Sequence, residues 1–227
     1  MQSLTDAASA IQAFQKNDLG ERIGAIETLL KEADSEKLQA AFPLLGVDDA
    51  LLEAGLTLKL AAGQVNVIIH AVGILLSLPR ILAQGERVQS LSLGAGSTGK
   101  PFDLETTIRV AEFKFIHWRG GSEAIRQNSL FKDFYLLAEH PTPKAKEIFV
   151  VGTEHALKFL RGRRALSSVM SRNNKLWGEF HAKYQERFTT VSDYYSFREN
   201  EVRLRDLLDV LPGLADSHIA EDQEEPQ

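Results

Sequence analysis

The 227-residue chain contains no cysteine. Disulfides and cysteine-based zinc or iron–sulfur centres are therefore excluded, and a reducing, cytoplasmic location is expected. The start, Met1-Gln2-Ser3-Leu4-Thr5-Asp6, lacks the basic residues and apolar run of a signal peptide. One apolar segment has to be weighed as a membrane span. This segment, 65–78, holds Asn66 and His70 and is about fourteen residues, whereas a span needs ~20. It reads as a buried core helix, and no membrane partner is expected. Several catalytic signatures are also missing. There is no Gly-x-x-x-x-Gly-Lys-Ser/Thr, no His-Glu-x-x-His and no Gly-x-Ser-x-Gly. Gly94-Ala95-Gly96-Ser97-Thr98-Gly99 superficially matches a dinucleotide loop. However, Lys100-Pro101-Phe102 and a strand follow it, not a helix.

What is present is an ordinary globular composition, 44% hydrophobic and 25% charged, with its charge segregated along the chain. Residues 1–56 carry ten acids and four bases, residues 57–187 nineteen bases and eleven acids, and residues 188–227 ten acids and three bases. A basic middle between acidic ends suits an anionic partner. Charge complementarity within one fold is the alternative.

Helical spacing runs through 3–45, with Asp18 as an N-cap and breaks at Pro43 and Gly46. Asp48 or Asp49 then caps a helix through Leu60. In the 65–78 helix, Asn66, His70, Gly73 and Ser77 form a small or polar stripe. That stripe either packs closely on another element or lines a polar cleft. From Glu86 the period changes to two. Strands are expected near 88–93, over 102–106 and over 108–116, followed by a turn at Gly120-Gly121. Ser122 is placed to cap a helix to about Glu139. Ile148-Phe149-Val150-Val151 reads as a strand covered on both faces. Helices are expected at about 156–172, around 177–188 and at 197–211, and the tail from Asp216 is expected to be disordered.

One constellation carries chemistry. If Thr106-Thr107 is a two-residue turn, Asp103, Glu105, Val110, Glu112 and Lys114 share one face of a hairpin. Phe102, Leu104, Ala111, Phe113 and Phe115 share the other. Asp103 and Glu112 are then diagonal neighbours able to converge on one ion. Two carboxylates plus water suit magnesium, and a lysine nearby can hold the attacking water. A surface salt bridge between Glu112 and Lys114 is the plainer alternative.

Asp103…Glu112-Phe113-Lys114 resembles the PD-(D/E)xK nuclease superfamily, the restriction-endonuclease-like fold, over about 90 of the 227 residues. The resemblance implies an α/β (α+β) core, a central mixed sheet flanked by helices, spanning 61–172. Helical extensions would occupy 1–60 and 173–215, and an acidic tail 216–227. It implies a metal-dependent nuclease hydrolysing phosphodiester bonds in DNA. Magnesium or manganese would sit on Asp103, Glu112 and the Phe113 carbonyl, with Lys114 positioning the water. Gln127-Asn128-Ser129-Leu130-Phe131 resembles a Gln-x-x-x-Tyr signature of some exonuclease branches, which makes Gln127 a further candidate or else a boundary glutamine. Many relatives add a glutamate from the first core helix, and 65–78 has none. A nuclease fold that binds nucleic acid or serves assembly without turnover is therefore the alternative. Arg119, Arg126, Lys132, Lys158, Arg161, Arg163 and Arg164 are candidate phosphate contacts or a solvated basic face. The helical extensions offer surfaces for a homodimer or a protein partner.

Overall fold

The computed structural model describes residues 3–16, 18–31, 33–94, 99–115, 118 and 123–215. The chain divides into two compact units, residues 1–68 and 69–227. In the first, α1 (Leu4–Gln15), α2 (Leu19–Leu30) and α3 (Ser35–Leu45) precede α4 (Asp49–Ile81), which carries the chain into the second unit. Asp18 caps α2 and Asp48 caps α4 through the Leu51 amide at 2.8 Å. Pro43 does not break α3. The helix ends two residues later at Leu45 and is capped by Gly46, whose φ of 68° is the left-handed conformation glycine takes at such ends.

The second unit continues with β1 (Val88–Leu91), β2 (Leu104–Thr106), β3 (Arg109–Lys114), α5 (Ala124–Glu139), β4 (Ala145–Val150), α6 (Thr153–Leu160), α7 (Leu166–Val169), α8 (Asn174–Tyr184), α9 (Val191–Arg198) and β5 (Val202–Asp206). The five strands form one mixed sheet in sequence order. β1, β2 and β3 pair antiparallel, and β3, β4 and β5 pair parallel. The sheet is thus a mixed α+β arrangement with β4 in its interior, as the continuous apolar run at 148–151 requires. Two expectations fail. The 156–172 helix is interrupted at Arg161-Gly162. Residues 202–206, read as part of a last helix, are the fifth strand. Val202-Arg203-Leu204-Arg205 alternates apolar and charged, a strand period that the surrounding charge obscures. The expected Ser122 cap and the Gly120-Gly121 turn lie outside the described residues.

The sheet separates two apolar clusters. On one face, Val110, Ile148, Val150 and Val202 pack with Leu130, Phe131, Phe134 and Leu137 of α5 and with α6–α9. On the other, Leu104, Ala111, Phe113, Phe115 and Phe149 pack with Ile74 of α4 and with Leu207 and Leu211. Beneath α5, Glu139 accepts hydrogen bonds from the Tyr184 and Tyr194 hydroxyls, both at 2.6 Å, and from Arg198 at 3.1 Å. This ties α8 and α9 to α5.

The 65–78 segment corrects the sequence reading. It belongs to a 33-residue helix long and apolar enough to cross a membrane by length and composition, and only 11% of its most apolar window is buried. Val72, Leu75 and Leu76 are exposed, and the small stripe makes the contact instead. Gly73, Ile74 and Ser77 are buried. The reason is steric. A methyl carbon on Gly73 would fall within 2.7 Å of three Phe115 ring carbons, so only a glycine lets α4 lie this close to the sheet.

Gly73→Ala is therefore expected to destabilise the second unit. Overpacking costs about 1–3 kcal/mol and alanine's helix preference recovers about 1 kcal/mol. Thermal unfolding checks this, and an unchanged or raised midpoint would contradict it.

Candidate active site

The site is built on the β2–β3 hairpin. Its turn is Thr107-Ile108, one residue later than expected. The Thr106 hydroxyl accepts from the amides of Ile108 (3.2 Å) and Arg109 (2.9 Å) and donates to Glu86 (2.6 Å), which holds Thr106 at the strand end. The register is Leu104 with Ala111 and Glu105 with Val110. Moving a two-residue turn by one position shifts every pair by two, so the faces are preserved. The pairing stops at Leu104, and Asp103 just before it reaches Glu112 through a side-chain hydrogen bond. Phe102 does depart from its expected face. The chain bends before β2, and the Phe102 ring joins Val110 in the α5-side cluster, 4.8 Å from the His140 ring.

Asp103 sits where β2 has not yet begun, so one edge of β3 is free of strand pairing there. The Phe113 amide donates to Asp103 Oδ2 at 2.9 Å. A strand residue projects its N–H and C=O to the same side, so the Phe113 carbonyl opens toward the Asp103 edge. From the opposite side, His70 of α4 brings Nε2 to 3.3 Å from Asp103 Oδ1. The Phe115 ring, edge-on at 5.9 Å, sets the imidazole. The sequence marks His70 only as a member of the small stripe, where a satisfied core histidine is the plainer expectation. The stripe both packs on the sheet and delivers this imidazole to a carboxylate.

Glu112 and Lys114 point to the α5 face, where a residue absent from the sequence reading meets them. Lys114 Nζ is ion-paired with Asp133 of α5. The signal for Asp133 was available. It lies three residues after Leu130 and four before Leu137, on the buried stripe of a helix, where a charge is costly.

These groups set one another's protonation. Burial pushes the Asp103 carboxyl up, but hydrogen bonds from His70 and the Phe113 amide outweigh it and hold it below the ordinary value. Burial, then the charges of Asp133 and Asp103, push Glu112 up to about 9. Near neutrality Glu112 therefore holds a proton. Burial lowers Lys114, but Asp133 more than compensates, so the amine stays cationic.

The remaining candidates are more dispersed. Gln127 does not join the carboxylates, since its Oε1 accepts from the Arg164 guanidinium. A helical wheel shows which face a glutamine takes but not which partner competes for it. Arg126 pairs with Glu123 at 3.2 Å. Lys132, Lys158, Arg161 and Arg163 are exposed and Arg164 is half-buried. Arg119 lies outside the described residues.

Among the described residues no group of three His, Asp or Glu side chains is spaced to hold a metal ion. The donor set that remains is two carboxylates, Asp103 and Glu112, with the Phe113 carbonyl. It fits magnesium, which binds through one or two carboxylates and keeps several waters. Burial is the main cause of the upward displacement of Glu112; the charges of Asp133 and Asp103 add to it, and a cation would offset that second part. Comparison with known proteins finds no matching family model, no matching curated protein and no matching solved structure.

Proposed function

We propose that the chain is a metal-dependent nuclease of the PD-(D/E)xK type acting on DNA. The observation that supports it best is the β2–β3 hairpin, which brings the Asp103 carboxylate into hydrogen-bonding reach of Glu112, with Lys114 two residues beyond Glu112 on the same face of β3. Asp103, Glu112 and the Phe113 carbonyl would hold magnesium or manganese. When bound, the ion supplies an acidified water and neutralises charge on the scissile phosphate. His70 and the Phe113 amide keep Asp103 ionised and aimed at the edge of β3. To serve as a ligand Glu112 would release its proton to solvent. The Lys114 ammonium donates hydrogen bonds to the attacking water or to a phosphoryl oxygen, which fixes one and stabilises charge growing on the other.

One observation favours a second reading, a nuclease fold that binds nucleic acid without turnover. Glu112 holds a proton and Lys114 is engaged by Asp133. Digestion of supercoiled, linear and single-stranded DNA in magnesium and in manganese separates the two. Cleavage of any of them, lost on chelation, supports the nuclease. No cleavage together with retained DNA binding moves the assignment to the second reading.

The arginines that follow α6, two exposed and one half-buried, extend either reading to the partner. Neutralising Arg161, Arg163 and Arg164 together is expected to weaken DNA affinity and flatten its salt dependence. The slope of log K against log salt should fall by about 0.9 for each duplex phosphate that the variant no longer neutralises. An unchanged slope would return these residues to solvated surface.

A further inference from the structure

We infer that Asp133 is the positioning residue of this site and that α5, as well as β3, determines where the Lys114 amine sits. The inference rests on the nuclease reading above and deepens it. Seven residues of α5 are buried, and six are Leu130, Phe131, Phe134, Tyr135, Leu137 and Ala138. The seventh is Asp133, 7% exposed. A carboxylate in such a face is expensive unless it is paired, and an apolar residue of similar size would pack there at less cost. Helix formation does not call for it either, because aspartate is among the weaker helix formers. The pairing it does make is to Lys114, the one cation two residues beyond Glu112 on the same face of the strand.

The physical need is on the lysine side. Its ammonium ends a flexible four-carbon stem, and on β3 alone it has many positions available. Productive geometry tolerates errors of only about half an ångström. A buried carboxylate across the sheet–helix interface removes that freedom, because its ion pair holds the amine at one place. The two remaining ammonium hydrogens stay free to donate to a water or a phosphoryl oxygen on the Glu112 side. The charges of Asp103 and Asp133 both act on Glu112, so Asp133 lies against the same cluster and not at a remote salt bridge. A residue with a purely structural role would work through the amount of folded protein. Asp133 instead works through the placement of one amine.

The test compares the full chain with Asp133→Asn and Asp133→Glu. It uses single-turnover cleavage normalised to sites that bind manganese by calorimetry. Asp133→Asn keeps the shape and an acceptor oxygen but removes the charge that fixes the amine. Its cleavage rate per metal-binding site is expected to fall about 10²-fold, the cost of misplacing a catalytic group by about an ångström. The KM for DNA should stay within about twofold, and manganese affinity should change far less than the rate, because the ligands are unchanged and the lost negative charge is offset by easier ionisation of Glu112. Asp133→Glu restores the charge one methylene out of place and should recover part of the loss. If Asp133→Asn does not fold, Asp133→Glu alone carries the test, with a fall of about tenfold at unchanged manganese affinity. A parental rate per site in the folded variants would overturn the positioning role and leave the nuclease reading intact. A parent chain that cuts no DNA in either metal would overturn the nuclease reading, and with it the role assigned to Asp133. A fall in rate matched by an equal fall in manganese affinity would also overturn it, because Asp133 would then act on the metal site and not on Lys114.

Discussion

Asp103→Asn is expected to abolish divalent-metal binding and DNA cleavage together while leaving the fold in place. The asparagine oxygen can still accept from the Phe113 amide, as Asp103 Oδ2 does at 2.9 Å, and the amide can still meet His70. What disappears is the negative charge beside Glu112. Magnesium and manganese draw much of their affinity from charged oxygen ligands. Glu112 is then the only charged ligand left in the set. Titration calorimetry with manganese should lose its heat signal, and digestion of supercoiled DNA should fall below detection. Circular dichroism should be unchanged. Full metal affinity in the variant would remove Asp103 from the ligand set and leave the hairpin register without a functional meaning.

Lys114→Ala is expected to separate chemistry from binding. Both carboxylates and the Phe113 carbonyl survive, so manganese affinity should be retained or rise as a nearby positive charge is lost. Cleavage should drop about 10²-fold or more, the usual cost of losing a group that handles a proton or a developing charge. That is about 2.7 kcal/mol of transition-state stabilisation. The variant leaves Asp133 buried without its cation, so some loss of thermal stability is expected as well, and the rate must be measured per folded site. Parental cleavage by Lys114→Ala would show that the lysine is a structural partner of Asp133 and nothing more. Loss of metal binding in the same variant would show that the lysine is needed to assemble the carboxylates.

The two variants probe different links of one chain of causes. Asp103 depends on a turn held by Thr106, because that turn sets the register and hence what reaches Glu112. Lys114 depends on α5, because Asp133 meets it from the helix. Gly73 joins them from a third direction. Its missing side chain admits Phe115, and Phe115 sets His70 against Asp103.

Periodicity and chemistry by themselves determined the hairpin, the doubly covered strand β4, the N-terminal helices with the Asp18 and Asp48 caps, and the shared face of Val110, Glu112 and Lys114. Each of these follows from local rules. A strand alternates every two residues whatever surrounds it, so an error of one residue in the turn moved the pairing by two and left the faces intact. Only the tertiary structure decided the rest. Three elements distant in sequence had to meet before His70 found Asp103 and Asp133 found Lys114. The partner of Gln127 turned on competition with Arg164, which lies 37 residues away. Residues 202–206 carry a strand alternation of their own, and pairing with the edge of β4 is what made it outweigh the helical reading. The orientation of α4 was decided by steric fit, since a glycine and a serine allowed a closer approach to the sheet than the branched residues on its other faces. Hydrophobicity along the chain records how apolar a face is. It does not record which face another element can approach most closely, and that contact selected the stripe carrying His70.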